Sequence, residues 1–228
     1  MSMSEEVSNK LVRASEWYGK HTGLRMMVAG IPNIGSSLDI LFYSKGEKFR
    51  QRRVAQLLKY LKTEMKRTHE NMVDKKYLKS EECFDLFLKA IDSATKTRHS
   101  EKIHLYAKVL RGAVIIQDRQ EFLPEEYLDI LSELSPREIE VARAIYEQQF
   151  DGPQDDENEL GWAERKGWAQ LSEQCPSIPK EDLVFILQRL ARSGLIREVT
   201  GMYWDYGGGV YVITDVFRKL MRYLEKVE

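Results

Sequence analysis

What this chain lacks narrows its chemistry. Its 228 residues hold only two cysteines, Cys83 and Cys175, far apart and in no paired or metal-ligand spacing. That excludes a disulfide framework and leads us to expect a reducing compartment. The opening residues, MSMSEEVSNK, are polar and acidic, without the basic flank, apolar run and small-residue cleavage site of a secretory leader. A cytoplasmic location is the expectation. No apolar run reaches the roughly 20 residues of a spanning helix. The uncharged stretch Met26 to Leu38 is broken by Gly30, Pro32, Asn33 and Gly35.

Catalytic signatures are missing too. Gly207-Gly208-Gly209 has no following Lys-Ser or Lys-Thr to make a phosphate loop, and Gly35-Ser36-Ser37 has no nucleophile-elbow flanks. His21, His69 and His99 show no ligand spacing. Glu101-Lys102-Ile103-His104 has the Glu-x-x-His spacing of carboxylate-bridged metal bundles, but such a site needs a second copy and the chain has none. No enzyme, cofactor or metal is expected.

Net charge is also nearly absent, at −1, yet it conceals an asymmetry. Residues 1–134 carry 23 basic against 19 acidic side chains, and residues 135–228 carry 12 against 17. Much of the basic surplus lies between Lys45 and Arg67, where nine basic residues face only Glu47 and Glu64.

What is present is helical periodicity. Val7, Leu11, Ala14 and Tyr18 predict a first amphipathic helix, over 4–20. Val54, Leu57, Leu58, Leu61 and Met65 line one face of a helix over 47–72, with Lys48, Arg52, Lys59 and Lys66 on the opposite side. Ser80 before Glu81 and Glu82 starts another, with Phe84, Phe87, Leu88, Ile91 and Ala94 as its apolar stripe. A further helix from Ser100 buries Ile103, Ala107, Leu110 and Val114, and its short link to the preceding helix predicts an antiparallel pair. Pro124 opens a short helix through Leu134.

Ser135-Pro136-Arg137-Glu138 is a capping box with proline at the first helical position, and a domain boundary is placed there: a helical domain over 1–134 and a second domain over 135–228. The acidic stretch 151–160 reads as a solvated loop, and a helix follows around Trp168 to Gln174. Leu183, Ile186, Leu187 and Leu190 define the next helix, which stops at Ser193-Gly194. Strands over 196–204 and 210–213 flank a Gly207–Gly209 tip, and a last helix begins at Thr214 or Asp215.

The segment LVFILQRLARSGLIREV, residues 183–199, resembles the third helix and first wing strand of the winged-helix superfamily, and the resemblance extends over Ser135 to Ile213. It implies a mainly α protein with an N-terminal antiparallel helical domain and a C-terminal α+β winged-helix domain. It also implies a DNA-binding regulator that inserts its third helix in the major groove. Lys180, Gln188, Arg189 and Arg192 would then be helix contacts and Arg197 a wing contact.

A rival reading stays open. Glu181 and Asp182 near the start of that helix oppose phosphate, and Phe185 puts an apolar ring on the same face. Phe185, with the wing aromatics Tyr203, Trp204 and Tyr206, would then meet a protein partner or the helical domain, although wing aromatics also seal a hairpin to its core. The basic face of Lys48, Arg52, Lys59 and Lys66 would suit phosphates or an anionic membrane surface, or stay solvated. Phe217, Leu220, Met221 and Leu224 on the last helix would pack in cis or join a homodimer.

Overall fold

A computed structural model describes residues 47–115, 124–153, 158–166, 168–199 and 209–225. The expected helix over 4–20, the stretch 26–38 and the wing aromatics Tyr203, Trp204 and Tyr206 lie outside them, as does the side chain of Lys48. The described residues are mainly helical, with a single two-stranded antiparallel sheet. The chain divides into two units, residues 1–129 with 226–228, and residues 130–225.

The first unit is built on α1 (Glu47–Lys66), α2 (Glu81–Lys96) and α3 (Ser100–Ile115), each packed on the other two. Arg53, early in α1, donates to the carbonyl of Thr95 at the end of α2, so those helices run in opposite directions. Tyr60 stacks on His104, and Thr68, just past α1, bonds Arg111 further along α3, so α1 and α3 run parallel. Most side chains expected inside α1 and α3 are buried there, Val54, Leu57, Leu61 and Met65 of α1 and Ile103, Ala107, Leu110 and Val114 of α3, but Leu58 of α1 is only half-buried.

Three further features depart from the sequence expectation. Helix α1 ends at Lys66, because the N–H groups of Arg67 and Thr68 turn back to the carbonyls of Glu64 and Met65 and tighten the last turn. A separate 3-10 turn spans Glu70–Met72. In α2 the buried arc is rotated: Cys83, Leu86, Phe87, Ala90, Ile91 and Ala94 are inside, whereas Phe84 and Leu88 are half-buried. A helix wedged between two neighbours and the 77–79 turn covers a wider arc than one amphipathic stripe predicts.

Helix α4 (Pro124–Glu133) carries the division between the units. The second unit follows with α5 (Pro136–Gln149), α6 (Glu159–Lys166), α7 (Trp168–Gln174), α8 (Lys180–Arg192), β1 (Ile196–Glu198), β2 (Tyr211–Ile213) and α9 (Asp215–Glu225). Ser135 and Glu138 form the capping box: Ser135 Oγ accepts from the Glu138 N–H at 3.2 Å, and Glu138 Oε2 accepts from the Ser135 N–H at 2.6 Å. Helix α6 starts inside the stretch expected as loop. Asn158 caps it by accepting the Leu160 N–H, and Leu160, Trp162 and Ala163 are then buried with Val199 and Val212.

The step from α8 into β1 is a Schellman turn. Gly194 sits at φ +77°, its N–H bonds the Ala191 carbonyl, and the Leu195 N–H bonds the Leu190 carbonyl. Leu190 and Leu195 are both fully buried, the apolar contact that accompanies this turn. The strands pair in register Ile196 with Ile213, Arg197 with Val212 and Glu198 with Tyr211. The Val199 N–H extends the ladder to the Val210 carbonyl.

Gln149 completes the other edge of β2. Its Nε2 donates to the Tyr211 carbonyl and its Oε1 accepts the Ile213 N–H, each at 3.0 Å. The side-chain amide thus takes the place of a third strand's peptide group. Thr214 caps α9 by accepting the Phe217 N–H, while its hydroxyl donates back to the carbonyls of Gly194 and Leu195. Phe217, Leu220, Tyr223 and Leu224 of α9 are buried, and Met221 is half-exposed, so the face turned inward includes a tyrosine that periodicity had not selected.

Candidate recognition surface on the 180–192 helix

Helix α8 divides cleanly. Leu183, Ile186, Leu187 and Leu190 hold one side against the core, and Glu181, Phe185, Gln188 and Arg192 form an exposed row at i, i+4, i+7 and i+11. Phe185 is 61% exposed and Val184 beside it 46%. Val184 is the residue that sequence reasoning missed. It stands three residues after Glu181 and four before Gln188, so the helical period that could have found it puts it on the same exposed side.

The two other helix candidates lie at the flanks. Lys180, at the first turn, is exposed. Arg189 is half-exposed, its guanidinium 5.9 Å from the centre of the Phe185 ring. Its Nε donates to Glu138 Oε1 at 2.5 Å. Glu138 is only 2% exposed, so one carboxylate closes the capping box of α5 and also grips α8. Burial alone would raise the Glu138 carboxyl, but the bonds from Arg189 and Ser135 outweigh it and hold the group below the usual carboxylate range. The same pair pushes the Arg189 guanidinium upward.

Further charges on this surface are paired within the unit. Asp182, expected to repel phosphate, accepts from Arg137 at 3.0 Å. Arg197, exposed on β1, is paired with Glu159 of α6. Of the five expected nucleic-acid contacts, Arg189 and Arg197 therefore have intramolecular carboxylate partners. The exposed row itself carries one acid, Glu181, and one base, Arg192, around an apolar centre. No sequence signal marks Glu138 or Glu159 as partners: they stand 51 and 38 positions from the arginines they bind.

The first unit holds a different cluster. Glu64, on the inner face of α1, is 1% exposed and accepts from His104 Nε2 at 2.7 Å and from Arg111 Nη1 at 2.9 Å. Arg111, 4% exposed, also donates from Nε to Thr68 Oγ1 at 2.9 Å. Burial would raise the Glu64 carboxyl, but the His104 bond and the charges of His104, Arg111 and Lys108 together hold it below its ordinary value. His104 is thus turned to Glu64 of another helix, and among the described residues no group of three His, Cys, Asp or Glu is placed to hold a metal ion. The expected basic face lies on the other side of α1, where Arg52, Lys59 and Lys66 are exposed.

Both cysteines are buried and unbridged, and burial, with Glu140 adding to it, pushes the Cys175 thiol up. Among the described residues, no helix is long and apolar enough to cross a membrane. No family model, curated protein or solved structure matches the chain.

Proposed function

We propose that residues 135–225 form a winged-helix recognition module without catalytic activity, and that the exposed row of α8 docks a protein partner. The order of helices, hairpin and closing helix supports the module, as does the Schellman turn that feeds a leucine-rich helix into a Leu-Ile strand. The observation that carries the docking reading is the exposure of Phe185 and Val184 at the centre of a row whose charges balance. Interface hot spots are apolar or aromatic anchors ringed by polar groups, and Arg189, fixed by Glu138, is positioned to flank the ring. The matching partner presents an apolar pocket for Phe185 with a carboxylate near Arg192.

DNA binding is the second reading, and Lys180, Gln188 and Arg192 favour it by being exposed on the same helix. A polyanion gains affinity from each uncompensated cation, and this surface offers few of them. The test takes the full chain through in-cell photocrosslinking from position 188, then reconstitution with the purified crosslinked protein. Phe185→Ala should weaken that complex about 30-fold, as loss of a central anchor does. If no crosslinked protein binds in purified form, or if Phe185→Ala leaves affinity unchanged, the reading fails. A salt-sensitive shift of duplex DNA, lost in Lys180→Glu plus Arg192→Glu and retained in Phe185→Ala, would establish the DNA reading in its place.

A further inference from the structure

Helix α1 presents a row of exposed cations, with Glu64 on its opposite, buried side. Arg52, Lys59 and Lys66 repeat every seven residues on its exposed side and extend over about 21 Å at the helical rise. Arg50 and Arg67 are exposed near its two ends. None of these five has an ion-pair partner among the described residues. Glu64, one of the two acids between Lys45 and Arg67, falls on the other side of the helix. In the structure it faces inward and is consumed by His104 and Arg111, so its charge does not reach the solvent face. Crowding on the row is visible at Lys62, whose ammonium is held below its ordinary value by desolvation and then by the charge of Lys66.

Two observations distinguish a lipid surface from other polyanions. Phe49, in the first turn of α1, is 70% exposed, an aromatic ring with no phosphate-binding chemistry. The sequence leading to the helix, residues 26–43, holds one charge, Asp39, in 18 residues and ends in Ile40-Leu41-Phe42-Tyr43. An exposed aromatic ring in the first turn of a cationic helix matches the two halves of an anionic bilayer surface, acyl boundary and headgroup layer.

We infer that the solvent face of α1, through Arg52, Lys59 and Lys66 with Phe49 at its edge, docks on an anionic membrane surface. This surface belongs to the first unit and is independent of the α8 row. The test is sedimentation of the full chain with vesicles of phosphatidylcholine mixed with phosphatidylglycerol, and with vesicles of phosphatidylcholine alone. The chain should bind the mixed vesicles and not the neutral ones. Binding should fall between about 0.1 M and 1 M salt, as the screening length shrinks from about 10 Å to 3 Å. Arg52→Gln, Lys59→Gln and Lys66→Gln together should cost about 100-fold in partition, at the usual contribution of each cation near a charged surface. Phe185→Ala should bind as the unaltered chain does.

All three substituted positions are exposed, and a far-ultraviolet spectrum checks that the triple variant folds. The salt dependence of the unaltered chain is a reading that needs no variant. Absent binding to mixed vesicles, equal binding to neutral ones, or an unimpaired folded triple variant overturns the inference. So does tighter binding of duplex DNA than of mixed vesicles through the same three residues.

Discussion

Replacing Gln149 should loosen the hairpin by a calculable amount. Its amide is 1% exposed and makes two bonds to β2, one to a backbone carbonyl and one to a backbone N–H. Methionine fills nearly the same volume but can make neither bond, so Gln149→Met isolates the polar loss from any cavity. Leaving one buried acceptor and one buried donor unpaired costs about 1–3 kcal/mol each, or about 2–6 kcal/mol together. That is a large part of the roughly 5–15 kcal/mol by which a domain is stable. Gln149→Ala should cost more still, because it adds a void. Amide hydrogen exchange at Ile213 reads the effect locally. A loss of about 2 kcal/mol corresponds to exchange about 30-fold faster wherever opening precedes exchange. If Ile213 exchanges at its original rate in Gln149→Met, and unfolding in urea shifts by less than about 0.5 kcal/mol, the side chain does not act as a surrogate strand.

Other consequences follow from the buried charges and the turn. Glu64→Gln leaves Arg111 charged and 4% exposed without its carboxylate, which should cost about 3–5 kcal/mol in urea unfolding, and adding Arg111→Met should recover much of that loss. A double variant no more stable than the single one would show that the pair is not coupled. Glu64 and Glu138 both have carboxyls held below the ordinary value of 4.5 in the folded chain. The stability they add is therefore complete above 4.5 and is lost as pH falls through their lower folded values. Acid unfolding of Glu64→Gln and of Glu138→Gln should each depend less steeply on pH in that window, and an unchanged slope would refute the assignment. Gly194→Ala meets no atom within 4 Å, so its cost is the left-handed backbone alone. That strain should amount to about 1 kcal/mol and lower the melting temperature of this unit by about 4–8 °C, measured calorimetrically.

The elements legible in the sequence were those whose signals are local. Ser80 with Glu81 and Glu82, Ser135-Pro136 with Glu138, and Gly194 after the leucine row each act within a few residues, and helices start or stop at them in the structure. Local signals failed where a neighbour decided the outcome. The arc that α2 buries was misjudged at Phe84 and Leu88 because α1, α3 and the 77–79 turn surround it. Helix α6 was hidden by the acidic run before it, since its three inward residues acquire a core only when β1 and β2 close over them.

Surface chemistry was less legible still. The pattern of Leu183, Ile186, Leu187 and Leu190 was enough to place Phe185, Gln188 and Arg192 outward, because a helix's geometry assigns faces without help from its surroundings. Which charges remain available to a partner was a tertiary matter. Glu138 and Glu159 hold Arg189 and Arg197, and Glu64, on the inner face of α1, binds Arg111. Periodicity along one chain segment determines which way a side chain points. The ions it meets come from segments about 40–50 positions away, and only the packing of helices brings them within hydrogen-bond reach.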